Sequence, residues 1–575
     1  MAAELPIVST AIRDVEQPYG DIVPIGHTHA EFIAHCEAAL ALDENQRAAM
    51  AQRMRAIVAD TSWEQTAERM HALMAGTPPG GKSAQPPGMP TQGSADGARV
   101  NALRASGGKP GYACVVLGAG PTGLSAAYHA GGDSLLLERQ GTVGGWCRSI
   151  QDGGFTFDHA GHIMFSNDPY VLQLYDLLLG ENQHWQMREA WVYSKNVYTR
   201  YPFQGALHGL PPDVIKECLL GAIAARYGSA GASCSSGALE DCCADGSVAA
   251  EAGQAAAQAT PANFEDFIYR TWGAGIARHF AIPYNRKLWT VPLADMETSW
   301  LGGRVPLPDL EAIIDGALQP VPRPMGPNAR FGYPRHGGFQ ALMNGFLPHL
   351  RGRVELNAEV VQVLPQEHMV ALADGRRFRY EHLVSTVPLP ELVRMCGDSA
   401  PPAVRAAARG LRHVSVRCVN LGVARPAVSD KHWIYYPEDT IFHRIFVQGN
   451  ASPACNPPGG FGFTCEISYS PSKPLPLQGQ ALIDRCIEDA VRVGFLRPDD
   501  RIVVANQLDL PVAYVIYDHQ RAANVATVRA WLAPHDILLA GRYSEWEYYN
   551  SDHAFLAGKR AAELVAAQAA RGAVP

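Results

Sequence analysis

The sequence predicts an α/β fold for most of the chain, and three observations carry that prediction. Tyr112-Ala-Cys-Val-Val-Leu117 has the composition of a buried strand and runs directly into Gly118-Ala-Gly120-Pro-Thr-Gly123. Leu124-Ser-Ala-Ala-Tyr-His-Ala130 continues as a helix, and Asp133-Ser-Leu-Leu-Leu-Glu138 reads as a second strand ending in an acid. Near the far end of the chain, Asp536-Ile-Leu-Leu-Ala-Gly541-Arg542 is another strand, with a helix expected from about Ser551. Together these are the opening and closing pieces of a Rossmann-type domain, with a mixed α/β unit and a helical insertion between them.

Each part of the opening motif has a physical task. Gly118 permits a tight turn, Gly120 lets the backbone approach a pyrophosphate, and Gly123 allows close helix–strand packing. The helix N-terminus presents free N–H groups and the positive end of a dipole. Glu138 is placed to accept hydrogen bonds from ribose hydroxyls. The uncharged run from Gly111 to Gly132 is broken by Gly118, Gly120, Pro121 and Gly123, which suits strand–turn–helix and not a membrane span.

Three regions are expected along the chain. Residues 1–75 form an opening unit: Pro6–Ile12 and Asp21–Gly26 read as short strands, followed by helices over 29–42, 44–59 and 62–74, the last capped by Ser62. Residues 76–110 are rich in Pro, Gly and Ser and read as a flexible linker. Residues 111–575 form the main body, interrupted by a small-residue surface insertion at 229–260. With 47% hydrophobic and 18% charged residues a large core can be buried. A net charge of −8 argues against nucleic acid as a partner. The 12 cysteines are scattered without a C-x-x-C pair, so neither a disulfide scaffold nor a metal site is expected. The N-terminus lacks the basic start and apolar run of a signal peptide, and a cytoplasmic location follows as the expectation. The oligomeric state, including a homo-oligomer, is left open.

The residues after Glu138 narrow the cofactor. Glu138-Arg139 is followed by Gly144-Gly145-Trp-Cys-Arg148-Ser149 and by Gly153-Gly154-Phe-Thr-Phe-Asp158. This run resembles the continuation found in amine-oxidase-like flavoproteins, whose nucleotide domain is of the glutathione-reductase type. The resemblance implies FAD, with Gly118, Gly120, Gly123, Glu138, Arg139, Gly144, Gly145, Gly161, Gly541 and Arg542 at the cofactor. The opening unit resembles the C-terminal end of a two-domain glycosyltransferase, through the strands at Pro6 and Asp21 and the helix starts at Glu31 and Ser62.

A series of collinear segments then resembles the eukaryotic-type branch of UDP-galactopyranose mutase. They include Ala160-Gly-His162-Ile-Met-Phe165, Tyr201-Pro-Phe-Gln204, Ile282-Pro-Tyr284-Asn285, Trp433-Ile-Tyr435, Phe442-His-Arg444 and Gly541-Arg542 through His553. The resemblance implies a reaction without net redox change, in which reduced flavin N5 attacks the anomeric carbon of a UDP-sugar and forms a flavin–sugar adduct. NAD(P)H is then a candidate reductant. It implies His162 against the flavin, with Arg444 and Tyr435 also catalytic. Tyr201, Phe203 and Gln204 correspond to the uridine end. Trp433, Tyr514, Tyr548 and Asn550 correspond to sugar and diphosphate contacts. Read without the resemblance, His162 is a core histidine, Trp433 and Tyr435 pack on one sheet face, and Arg444 is an ion-pair partner. Trp289, Trp300 and Trp546 are assigned to packing. Two positions depart from the family: Ile282 stands where it carries a phosphate-binding arginine, and Asp309 where it offers an asparagine. Arg278 or Arg286 are the candidate substitutes. Two rival readings stay open: an oxidase of the amine-oxidase or protoporphyrinogen-oxidase type, and a non-catalytic assembly factor of a glycan pathway.

Overall fold

The computed structural model describes residues 6–10, 22–59, 111–228, 260–302, 307–322 and 329–572. The expected third helix at 62–74, the linker at 76–110 and nearly all of the insertion at 229–260 lie outside these residues. The chain divides into two compact units, Met1–Gly108 and Lys109–Pro575. In the first, strands Ser9–Thr10 and Ile25–Gly26 pair in parallel. Helix His29–Leu40 starts at a capping box in which Thr28 and Glu31 satisfy each other's backbone N–H groups. Ile22, Val23 and Met54 form its small core.

The second unit carries two seven-stranded sheets. The nucleotide sheet runs Arg353–Glu355, Ser134–Leu137, Tyr112–Leu117, Arg377–Ser385, Met369–Leu372 and Val360–Leu364, with Ile537–Leu539 also joined to Arg377–Ser385. Its first three strands, Arg377–Ser385 and the late Ile537–Leu539 are parallel, as expected for a buried α/β sheet. Helices Pro121–Ala130 and Ser551–Gly572 pack side by side at glycine: a Cβ on Gly558 would lie 2.3 Å from the Thr122 carbonyl oxygen, and one on Gly541 would lie 2.3 Å from the Thr122 hydroxyl. Glycine lets the C-terminal turn and helix close onto the opening motif.

The second sheet is inserted between these ends. Its order is Ile502–Val515, His413–Val423, Phe461–Tyr469, Arg444–Phe446, Trp433–Tyr435, Ala190–Ser194 and Val197–Arg200. All its pairs are antiparallel except Trp433–Tyr435 with Ala190–Ser194. Alternation along the strands divides the side chains. Ile434, Ile445, Cys465 and Ile467 join a core with helix Gln480–Arg492, so Trp433, Tyr435, Arg444, Phe446 and Glu466 share the opposite face. The helical insertion, Pro212–Tyr227 with Phe264–Ile276, is again closed by glycine. A Cβ on Gly275 would sit 2.2 Å from the Glu217 carbonyl oxygen. Ile282 opens the helix Ile282–Trp289 and is buried in the main core. Among the described residues, no helix is long and apolar enough to cross a membrane.

We expect a truncated protein beginning near Ala105 to unfold cooperatively and to retain FAD, because the main core is built within the second unit. Circular dichroism and the flavin absorbance of the truncated protein check this; insoluble or colourless protein would contradict it.

Candidate functional site

A cavity of about 850 Å³ lies between the two sheets. At its nucleotide end, Gly118 has φ +92° and its added Cβ would meet the Thr386 hydroxyl at 2.7 Å. A Cβ on Gly123 would lie 1.8 Å from the Gly118 carbonyl oxygen, whereas one on Gly120 meets nothing nearer than the Gly145 Cα at 3.9 Å. Gly123 thus closes the protein's own packing, while Gly120 faces the cavity. Glu138 is oriented by backbone donors: the Ala119 N–H at 2.8 Å and the Gln140 N–H at 2.9 Å. Its remaining lone pairs can accept from ribose hydroxyls. Arg139 and Gly145 line the same end. Gly144 lies just behind, at φ +119°, and donates its N–H to the Ala119 carbonyl at 2.7 Å. This arrangement fits the dinucleotide part of FAD: bare backbone, a helix N-terminus and an acid at the next strand end.

The middle of the cavity is formed by the loop Ala160–His162. Ala160 adopts φ +70°, the left-handed region that few non-glycine residues occupy. Gly161 is hemmed in: its Cβ would meet the Phe446 ring at 2.9 Å and the Trp433 indole nitrogen at 3.1 Å. The Gly161 N–H donates to Glu466 Oε1 at 3.1 Å, and the other Glu466 oxygen accepts from Arg444 Nε at 2.8 Å. Glu466 is fully buried. Arg444 also donates to the Tyr514 hydroxyl at 2.9 Å. His162 stacks on Phe339 with ring centres 5.3 Å apart. Its Nδ1 lies 3.1 Å from the Ala160 carbonyl, which can only accept, so Nδ1 carries the proton and Nε2 is left as an acceptor. Loss of hydration lowers the His162 pKa to about 4, reinforced by His159, Arg542 and Arg444 and only partly opposed by the Ala160 bond. Beneath the loop, burial raises the Asp158 pKa to about 6 against the pull of hydrogen bonds from Ser149, Tyr333 and the Phe339 N–H.

Arginine and aromatic side chains form the third wall. Arg542 lies over the rings of Tyr514 and Tyr548, 5.0 and 4.8 Å from their centres. Its Nη1 donates to the Tyr549 carbonyl at 3.2 Å, while Nε and Nη2 are buried without a hydrogen-bond partner. Arg188 lies 4.9 Å over Trp433 and donates from Nη2 to the Tyr435 hydroxyl at 2.8 Å. Asn550 lines the cavity just before helix Ser551–Gly572.

Most of the expected residues therefore meet here: Gly118, Gly120, Glu138, Arg139, Gly145, Gly161, His162, Trp433, Arg444, Tyr514, Arg542, Tyr548 and Asn550 line one cavity. Tyr201, Phe203, Gln204 and Tyr435 do not line it. Tyr201 packs at a tilt against Tyr435 with ring centres 4.7 Å apart, and Phe203 is buried against Phe280 at 5.0 Å, so these residues form the layer behind the wall. Gly123, Gly144 and Gly541 likewise act through packing. Two further expectations are corrected. Asp309 caps helix Leu310–Leu318 by accepting the Ala312 N–H at 2.8 Å, and is an exposed residue outside the cavity lining. Arg278 pairs with Glu217 and Arg286 with Glu265, so neither substitutes at the cavity. Trp546 is fully buried as assigned, yet it also borders the cavity. Arg188, Glu466 and Thr386 were not foreseen. Only the antiparallel register of Arg444 opposite Glu466 would have revealed the carboxylate.

Gly120→Val should give folded but colourless protein, since the new side chain enters the cavity; Gly123→Val should fail to fold, since it strikes backbone. Flavin absorbance and thermal unfolding separate the two. The depressed His162 pKa has a definite sign. Its contribution to stability is complete above about pH 6.5 and fades as pH falls toward 4. His162→Gln should therefore lose less thermal stability than the parent protein between pH 6.5 and 4.5.

Comparison with known proteins agrees with this geometry. Residues 116–178 match the family model of an NAD(P)-binding Rossmann-like domain, and residues 316–566 that of flavin containing amine oxidoreductase. The fold is similar to a crystal structure of reduced UDP-galactopyranose mutase, at 28% identity, with TM-score 0.70 over 80% of this chain and 95% of that one. It is also similar in fold to a protein from Exiguobacterium sp. assigned as a protoporphyrinogen oxidase, at 15% identity and TM-score 0.58, over 80% of this chain and all (100%) of that one. Putrescine oxidase bound to putrescine shares the fold at 16% identity and TM-score 0.53, over 79% of this chain and 99% of that one. The second unit is thus similar in fold to UDP-galactopyranose mutase and, over residues 316–566, matches the flavin containing amine oxidoreductases, a likeness that indicates an FAD-dependent enzyme.

Proposed function

We propose that this flavoprotein is a sugar-nucleotide mutase, interconverting the pyranose and furanose forms of a UDP-hexose of the galactose type. The observation that supports this most is the likeness to reduced UDP-galactopyranose mutase over 95% of that chain. Gly118, Gly120, Glu138, Arg139, Gly145 and Arg542 would hold FAD, which in its reduced form supplies an electron-rich N5 as nucleophile for an anomeric carbon. NAD(P)H is the proposed reductant.

The chain's own residues have the remaining tasks. A diphosphate that leaves and returns needs charge-assisted donors, and Arg444 provides one that is already held in place by Glu466 and Tyr514. Because the Tyr514 hydroxyl accepts from Arg444, its own proton is available to a substrate oxygen. The faces of Trp433 and Tyr548 border the space for the sugar. His162, neutral and accepting at Nε2, holds a proton-bearing group in orientation without competing as an acid. Tyr201, Phe203 and Gln204 shape the uridine end from behind the wall. The apolar Ile282 and the amine oxidoreductase match favour a second reading, an FAD-dependent oxidase on the same fold.

Dithionite-reduced enzyme should convert UDP-galactofuranose to UDP-galactopyranose, while the oxidised enzyme is inactive and no oxygen is consumed in proportion to turnover. Chromatography of the nucleotide sugars with an oxygen electrode decides it. Inertness to UDP-sugars together with peroxide formation from an amine or a porphyrinogen would establish the oxidase instead. Arg444→Lys should slow turnover about 10²-fold, by loss of the guanidinium fork, with flavin content unchanged. Arg444→Ala is a poorer probe, because it strands the buried Glu466 carboxylate at a cost of about 3–5 kcal/mol.

A further inference from the structure

Among the described residues, two arginines carry buried N–H groups without a hydrogen-bond partner, Arg188 and Arg542, and both line the same cavity. Arg542 belongs to the C-terminal turn beside the nucleotide motif. Arg188 belongs to the other side. It follows strand Gln183–Met187, donates its backbone N–H to the Ala329 carbonyl at 2.8 Å, and lies over Trp433 of the second sheet. Only 8% of it is exposed. Nη2 is committed to the Tyr435 hydroxyl, and Nε is left over. A buried guanidinium with an unsatisfied donor is costly unless an acceptor arrives.

Charge accounting indicates which acceptor. The cation of Arg444 is cancelled by Glu466 at 2.6 Å, so Arg444 contributes directed hydrogen bonds but little net charge. Arg278 and Arg286 are paired with glutamates outside the cavity lining. Position 282, on the helical insertion, is an apolar residue packed in the core. Arg188 has no carboxylate partner among its described interactions, so its charge is uncancelled. It lies 4.9 Å from the ring centre of Trp433 at the cavity and 5.9 Å from that of Tyr201 in the layer behind it, between the residues proposed for the sugar and uridine ends. The diphosphate is the part of a UDP-sugar that must cross this span.

We propose that Arg188 is a substrate-binding residue whose guanidinium, at the cavity wall and with its charge uncancelled, grips the diphosphate of the UDP-sugar; this rests on the mutase reading above. The Tyr435 hydroxyl and the Trp433 face hold the guanidinium in advance, so little side-chain freedom is lost on binding. The pyrophosphate of a nicotinamide dinucleotide has the same chemistry, and the test separates the two sources.

The experiment titrates purified, oxidised, FAD-loaded enzyme with UDP, uridine and NADP⁺ by calorimetry, comparing the parent with Arg188→Gln and Arg188→Lys. Arg188→Gln should weaken UDP about 10- to 100-fold, the range for loss of one hydrogen bond to a charged group, and leave uridine unchanged. Equal weakening of UDP and uridine would mean that Arg188 only braces Tyr435 and Tyr201, and overturns the proposal. So does weakening of NADP⁺ with UDP unaffected, which assigns the cation to the dinucleotide. If Arg188→Gln fails to hold flavin, Arg188→Lys carries the comparison. An ammonium lacks the planar fork that spans Tyr435 and the anion, so UDP should still weaken relative to uridine, and parent-like UDP affinity would overturn the assignment. Failure of the parent enzyme itself to bind UDP would instead end the mutase reading, and the assignment with it.

Discussion

The Glu466 carboxylate is the point on which the site is assembled. It lies on a central strand of the second sheet, wholly removed from solvent, and each of its oxygens is used. One accepts from Arg444 on the neighbouring strand, and the other accepts the N–H of Gly161, which comes from the nucleotide side of the chain. An ion pair this deep contributes little net stability against its desolvation, but losing either partner leaves an uncompensated charge. Its effect here is geometric. It fixes the guanidinium of Arg444 and, through Gly161, the register of the loop that carries His162. The left-handed backbone at Ala160 persists because Gly161 is held at one side and crowded by Trp433 and Phe446 at the other.

Around that anchor the cavity is electrostatically asymmetric. One end offers bare backbone amides and an oriented carboxylate, suited to the ribose and pyrophosphate of FAD. The other offers the Arg188 guanidinium held on the face of Trp433, and Arg444 held by its carboxylate. Burial keeps His162 neutral among these cations, since a further positive charge beside Arg444 and Arg542 would be repelled as well as poorly hydrated. The histidine therefore acts as an acceptor in the pH range where its free counterpart would titrate.

The nucleotide half of this arrangement was legible because its physics is local. Gly118, Gly120, Gly123 and Glu138 lie within one strand–turn–helix–strand unit, and their spacing alone dictates their roles. The alternation of Trp433, Ile434 and Tyr435 similarly announced which residues share a sheet face, and Arg444 joined them through its pairing opposite Tyr435. The same alternation could not separate wall from layer. Trp433 reaches the cavity, while Tyr435 stays behind it against Tyr201 and Tyr284.

What the amino-acid sequence by itself determined was the α/β class and the cofactor turn, because these follow from short-range periodicity and motif order; the residues expected at the rest of the cavity came from the family resemblance. Tertiary structure alone decided which charges are free. Arg444 carried two readings, a catalytic cation and an ion-pair partner, and is neutralised by Glu466; Arg278 and Arg286 were offered as substitutes and are paired elsewhere; Arg188 passed unnoticed and keeps a buried donor unused. The reason is physical. Whether a charge is available depends on partners brought together from strands and helices distant in the chain, and no local pattern of residues encodes that distance.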